Sequence, residues 1–315
     1  MCTTRARNAS VHTASMRVDV VTAVHADYAC YLPAAWDSLR RQGYPHWTWR
    51  IQIDGPDDEV RAALDACGAS ADGRVQIGAH GTREGPGVTR NVALGACTGQ
   101  LVQNLDADDE LEPGALAALV GALAADPAAG YAVGHARDLH PDGTLASAPL
   151  AVPAGRLARG ALAIAWSAAL AERVLPDRAL PPVHPAGVMW RRNLLIAVGG
   201  WAALRGVEDT ATLIAGSALA PGVLLDVPTL RYRRHEAQLS RNLENFSGGG
   251  ISIPLSGSER PCSPPVRPGG THRRSRPRLP RAQPPRVEFQ DPGYLRRGAR
   301  TSAHPACCTV MGTHS

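Results

Sequence analysis

The run Asp106-Ala107-Asp108-Asp109 closes a strand-like stretch at 101–105. In an extended backbone, residues two apart point to the same side, so Asp106 and Asp108 can converge on one cation. Crowded carboxylates repel one another unless positive charge sits between them. Hard oxygen donors suit Mg²⁺ or Mn²⁺ and leave coordination positions for phosphate oxygens, so a metal carrying a diphosphate would meet both needs. A solvated acidic turn is the plain alternative, because a lone D-x-D arises often by chance. The weight of the motif therefore rests on what surrounds it.

Five other groups of residues have chemistry of a matching kind. Thr22 to His25 end one strand-like stretch and Asp54 ends another. Asp54 can accept hydrogen bonds from a base or a ribose hydroxyl, or can cap the turn at Gly55. Gly85-Pro86-Gly87-Val88-Thr89-Arg90-Asn91 opens a helix, where free N–H groups and a guanidinium favour a diphosphate; the alternative for Arg90 is a surface arginine. Glu208-Asp209 starts a helix after Gly199-Gly200-Trp201. A helix N-terminus favours an ionised carboxylate able to act as a base, although acidic residues also sit there simply to offset the dipole. His235 follows the last strand-like piece, as a metal ligand, a phosphate contact or a structural residue. His25, His80, His135, His140 and His184 form no metal-ligand spacing.

The elements that must position these residues follow from periodicity. Strands are expected at 17–24, 47–53, 74–77 and 101–105, and helices at 31–41, 57–66, 86–97 and 113–125. Strands alternating with helices predict a parallel α/β sheet. In such a sheet ligands sit at the carboxyl ends of the strands, where Thr22, Asp54 and Asp106 all fall. The pattern then changes. A hairpin is expected around Pro141-Asp142-Gly143, a buried apolar helix at 161–171, a strand at 183–190, helices at 191–198 and 207–215, and short strands at 223–226 and 230–234.

Composition bounds the function further. The 315 residues carry 33 basic side chains, all Arg, and a formal charge of +5. Beyond residue 250 there are 11 Arg against Glu259, Glu288 and Asp291, an excess of 8 that leaves the first 250 residues at −3. The body is mildly acidic and has no basic-aromatic face, which excludes nucleic acid as the expected partner. Seven scattered cysteines without C-x-x-C spacing argue against a zinc site or a disulfide framework and for buried free thiols in a reducing cytoplasm. Residues 1–16 lack the apolar core of a secretory leader and are expected to be a disordered extension, with Met16 as an alternative start. The 161–171 stretch is too short to span a bilayer. Residues 246–315, rich in Pro, Gly, Ser and Arg, are expected to be disordered, or else to be a frame-shifted, non-native terminus.

Between 17 and 240 the ordered motifs resemble one family, the inverting, nucleotide-sugar-dependent glycosyltransferases of family 2 with the GT-A fold. The resemblance rests on the strand at 20–24, the segments Trp36-Asp-Ser-Leu-Arg-Arg-Gln42-Gly-Tyr-Pro45 and Trp49-Arg-Ile-Gln-Ile-Asp54-Gly55, then Gly87-Val-Thr-Arg90-Asn91, Asp106-Ala107-Asp108-Asp109, Gly199-Gly200-Trp201 and Glu208-Asp209-Thr210, in that order. It departs at Ile53, where the family often carries Asn or Asp, and in a short region after Asp209. What it implies is a Rossmann-like nucleotide-binding half at 17–130 with a mostly parallel sheet, and a smaller acceptor-side half at 131–245. It further implies substrate contacts from Thr22, Asp54, Arg90, Asp106, Gly200 and Trp201. A Mn²⁺ or Mg²⁺ ion would be held by Asp106, Asp108 and His235, and Asp209, with Glu208, would serve as catalytic base. The implied partners are a nucleotide-sugar donor and a glycan, lipid-linked or small-molecule acceptor, in the cytoplasm and compatible with peripheral membrane association. Two other readings compete. A nucleotidyltransferase would show a Gly-rich basic signature after the first strand, where Ala23-Val24-His25-Ala26 stands; a degenerate protein would bind sugar nucleotide without turnover.

Overall fold

The computed structural model describes residues 16–147, 152–171, 183–204, 207–236 and 238. The chain divides into two units, 1–250 and 251–315, and every described residue belongs to the first. Apart from Met16, the expected extension and the 246–315 tail lie outside the described residues.

The first half is wound as the periodicity predicts. Strand β1 (Val18–Val24) is followed by a 3₁₀ turn (Ala26–Tyr31) and helix α1 (Leu32–Arg40). Next come β2 (Trp47–Ile53), α2 (Asp58–Ala66), β3 (Val75–Ala79), α3 (Pro86–Ala96) and β4 (Leu101–Asn104). A two-residue strand β5 (Glu110–Leu111), absent from the sequence-based expectation, precedes α4 (Ala115–Ala125). β1 pairs in parallel with β2 on one side and β4 on the other, and β2 pairs in parallel with β3. The resulting order, β3-β2-β1-β4, reverses direction of growth at β1 and β4, and the crevice outside such a switch point is where α/β sheets bind ligands.

The second half extends this sheet. β6 (Tyr131–Leu139) and β7 (Leu145–Ser147) form the expected hairpin, and β8 (Gly155–Leu157) leads into α5 (Ala161–Ala171). β9 (Met189–Arg191), α6 (Arg192–Ala197), α7 (Glu208–Leu219) and β10 (Gly222–Arg233) complete the unit. β9 joins β4 to β6 with antiparallel pairing on both sides, while β10 runs parallel to β6 and antiparallel to β5. The fold is α/β, with a parallel first half and a mixed second half.

Three expectations change. The strand at 183–190 shortens to β9, because Pro185–Gly187 form a 3₁₀ turn before it. The two short strands near the end are one, β10; Pro228 is accommodated by register shifts on either side of it, the irregularity a proline needs inside a sheet. Helix α5 forms but is not buried throughout: Leu162 is covered, whereas Ile164 is 70% exposed.

Burial explains why the sheet forms. β1 is covered on both faces, as its near-continuous apolar run requires. Trp36 of α1 stacks flat on Trp49 of β2, with ring centroids 5.9 Å apart. A second core cluster, including Val21, Val102, Tyr131, Trp190 and Trp201, fills the other face. Of the described cysteines Cys97 is buried, while Cys30 and Cys67 are half-buried, so burial of the thiols holds for one only. No helix among the described residues is long and apolar enough to cross a membrane.

Candidate active site

The ends of β1, β2 and β4 bring His25, Asp54 and Asp106 to one edge of the sheet. Asp54 is buried, and its carboxylate accepts from the backbone N–H groups of Glu84 (2.7 Å) and Gly85 (3.0 Å). His80 Nε2 lies 3.3 Å from the same carboxylate and Arg83 Nη2 lies 3.1 Å from His25 Nε2. Asp54 thus fastens the loop that opens α3. Burial, reinforced by Arg83, keeps the His25 imidazole below its ordinary pKa. Thr22 differs from expectation. It is fully buried, donates to the Leu105 carbonyl (2.7 Å) and accepts from Trp49 Nε1 (2.8 Å), so its hydroxyl is committed to joining β1, β2 and the Asp106 turn.

Asp106 stands two residues beyond β4, and Ala107 and Asp108 form a turn. Strand alternation therefore does not aim the two carboxylates. Asp106 Oδ1 accepts from Arg90 Nη2 at 2.6 Å, and Asp108 Oδ2 lies 2.9 Å from His235 Nε2. Asp109 points inward, is fully buried and accepts from the Arg233 N–H at 3.0 Å. Burial first, then Asp108 and Asp106, push its carboxyl well above the usual range. Tyr31 tilts against His235 with ring centroids 4.7 Å apart, and Tyr28 meets the same ring edge-on at 5.8 Å.

A divalent ion is implied by the D-x-D resemblance, and the donor set suits one. Two carboxylates and an imidazole are acceptable ligands for Mn²⁺ or Mg²⁺. Two ligands at about 2.1 Å from an octahedral ion stand about 3 Å apart, which the Asp108–His235 pair matches. Among the described residues, however, no three His, Cys, Asp or Glu side chains are already gathered as a cation site. Asp106 contributes its first oxygen to Arg90 instead.

Arg90 is the centre of the arrangement. The side chain is 6% exposed, with Nη1 2.8 Å from Glu208 Oε1 and Nη2 on Asp106. Burial opposes its charge, but Asp106 and Glu208 outweigh burial and raise its pKa above the ordinary value. Glu208 is buried in turn, so it is a partner of Arg90 rather than a group open to substrate. Asp209 follows it in the first turn of α7. Burial, then Glu208, push the Asp209 carboxyl up to about 7, with Arg90 opposing. The helix terminus alone was expected to keep it ionised; desolvation is the stronger influence.

The Gly199–Trp201 loop is locked to α3. Asn91 Nδ2 donates to the Trp201 carbonyl, and Asn91 Oδ1 accepts from the Trp201 N–H, both at 2.8 Å. A Cβ on Gly200, whose φ is +77°, would lie 2.1 Å from Asn91 Oδ1. One on Gly87 would lie 2.8 Å from the Ala202 carbonyl. Trp201 is 3% exposed and its side chain packs in the second core cluster.

His184 escaped the sequence reading, which looked only for ligand spacing. Its ring packs 4.2 Å from Tyr232, and burial pushes its pKa down to about 4. Asp106 is among the charges it senses, yet 78 residues separate the two in the chain and no local signal links them.

The comparisons agree with this architecture. Residues 19–154 match the model of the family Glycosyl transferase family 2. The matched segment is less than half of the chain, and over it the chain is similar to that family. No curated protein sequence matches it. Among solved structures, S. aureus TarS 1-349 in complex with UDP-GlcNAc is similar at a TM-score of 0.58 and 15% identity, covering 72% of this chain and 61% of that one. The same TarS segment in complex with UDP gives a TM-score of 0.55 at 16% identity, covering 73% and 62%. The chain thus spans less than two thirds of the structures it resembles, and at these identities the likeness concerns the fold.

Proposed function

We propose that the protein transfers a glycosyl group from a nucleoside-diphosphate sugar to an acceptor hydroxyl, with inversion at the anomeric carbon. The observation that carries this reading is the placement of Asp209. It is a carboxyl raised to about 7, next in sequence to Glu208, whose partner Arg90 also holds the D-x-D residue Asp106. A general base works best when its pKa lies near the working pH.

In this reading the nucleotide lies along the ends of β1 and β2, beside Asp54, His80 and Arg83, and the diphosphate lies at the Asp106–Asp108 turn. Asp106, through the oxygen not used by Arg90, would hold a Mn²⁺ or Mg²⁺ ion together with Asp108 and His235. When bound, that ion offsets the charge growing on the leaving nucleoside diphosphate. Asp209 takes the proton from the acceptor hydroxyl. The acceptor oxygen forms its bond to the anomeric carbon as the bond to the diphosphate breaks, and the diphosphate leaves with the electron pair. Attack from the face opposite the leaving group gives inversion. The free thiols of Cys67 and Cys97 fit a reducing cytoplasm, which we take as the location.

The reading is tested by incubating the full chain with a panel of sugar nucleotides and MnCl₂ and following nucleoside diphosphate release with glycan, lipid-linked and small-molecule acceptors. Acceptor-stimulated release from one donor supports it. A folded chain that binds nucleotide yet releases none would instead be a sugar-nucleotide-binding protein.

A further inference from the structure

We propose that Arg90 and Glu208 are positioning residues: a buried clamp that sets the base-bearing helix α7 against the donor-side Asp106, without either residue touching substrate. The inference rests on the transferase reading of Asp209 and departs from the roles expected for both residues.

The geometry leaves Arg90 little else to do. Its two terminal nitrogens are directed to carboxylates from different parts of the chain, Asp106 at 2.6 Å and Glu208 at 2.8 Å, and its side chain is 6% exposed. A guanidinium presents a planar fork, so it fixes the angle between its partners as well as their distance. Glu208 is adjacent to Asp209 on the first turn of α7, and a shift of one carboxylate moves the other. The fit of α3 against α7 is close: a Cβ at Gly87, one turn before Arg90, would lie 3.4 Å from Glu208 Cβ and Cγ. Two further ties hold the same junction. Asn91, next to Arg90, grips both backbone groups of Trp201. Thr212 Oγ1 accepts from the Ala202 N–H at 3.0 Å and donates to the Glu208 carbonyl at 2.7 Å. A donor-side helix thereby sets the register of the base against the D-x-D turn, and a displacement of about 1 Å in such a register can cost on the order of a hundredfold in rate.

The experiment uses the full chain with Arg90→Gln, Glu208→Ala, the double variant and Glu208→Gln. Urea unfolding of the first three closes a double-mutant cycle. The clamp predicts that the double variant loses clearly less stability than the two single losses added; additive losses overturn it. Binding of UDP, GDP and dTDP with MnCl₂, by calorimetry, and turnover of the matching sugar nucleotides supply the second readout. Glu208→Ala is expected to keep nucleotide affinity within about twofold and donor KM unchanged while kcat falls about tenfold or more. Glu208→Gln retains an oxygen for Arg90 Nη1 and is expected to recover most of that rate. A Gln variant as slow as the Ala variant would make Glu208 a proton-transfer group and overturn the proposal, as would a tenfold loss of nucleotide affinity in Glu208→Ala. A wild-type chain that turns over no donor contradicts the transferase reading, and the unfolding cycle then decides on the clamp by itself.

Discussion

His235 Nε2 and Asp108 Oδ2 lie 2.9 Å apart across 127 residues of sequence. Antiparallel pairing of β10 with β5 makes this contact, because it returns the chain to the turn that follows β4. Arg233 reinforces it by donating from Nε to the Asp108 carbonyl (2.8 Å) and from its backbone N–H to Asp109 (3.0 Å). Replacing either member of the pair should therefore uncouple nucleotide binding from the metal. For Asp108→Ala and His235→Ala, the affinity gain that MnCl₂ gives UDP or GDP is expected to shrink by about tenfold or more. Calorimetry with and without the metal measures it, and an unchanged gain removes the pair from the metal site.

The Asp209 carboxyl gives the chain a pH signature. Its pKa is about 7 in the folded protein, against an ordinary value near 3.8. The unfolded chain therefore releases this proton first as pH rises. The stability due to the protonated group is complete below about pH 4 and is lost as pH climbs through 7. Urea unfolding of wild type should show that decline, and Asp209→Asn should lessen it, leaving the part due to Asp109, whose carboxyl burial also raises. Turnover needs the ionised base, so kcat should rise through about pH 7, in the direction opposite to stability.

Two glycines separate steric need from ordinary helix propensity. Gly200→Ala places a Cβ on a left-handed residue against Asn91 and should lower stability by about 1–3 kcal/mol. Gly121, inside α4, has no positive φ and nothing within 4 Å of the place a Cβ would take, so Gly121→Ala should raise stability by about 0.4–1 kcal/mol. Thermal unfolding of both variants checks the contrast; equal shifts would contradict the close fit of α3 on the Gly199–Trp201 loop.

Asp54 fastens the loop before α3 through two backbone N–H groups, so its loss should be felt in nucleotide binding and in loop order together. Asp54→Ala is expected to weaken UDP or GDP binding and to speed amide exchange at Glu84 and Gly85. Asp54→Asn, which keeps one acceptor oxygen, should retain part of both. Hydrogen exchange at those two amides, set beside calorimetry, provides the check.

How far the sequence reached follows from how local each signal is. Strand β2 was legible to the residue because apolar Trp47, Trp49, Ile51 and Ile53 alternate with polar residues up to Asp54-Gly55, a turn. Helix α3 was legible because Gly85-Pro86 opens it. β10 was split in two, since Pro228 removes a donor and only the neighbouring strands reveal the register shift that absorbs it. The Asp106–Asp109 run was found, but its geometry was misjudged: the chain turns after Leu105, and partners from α3 and β10, not strand alternation, orient the carboxylates. Arg90, Trp201 and Thr22 were singled out from the sequence, but the side chains they pack or bond with in the fold were not. Their partners, Glu208, the second core cluster and Trp49, come from packing that no spacing along the chain encodes.

The central claim is that Asp209 is the base of a glycosyl transfer. It is tested most directly by Asp209→Asn, assayed with the donor and acceptor that the wild type uses. Nucleoside diphosphate affinity is expected to stay within about twofold, while transfer falls by roughly 10²–10⁴-fold. Transfer at the wild-type rate would contradict the account.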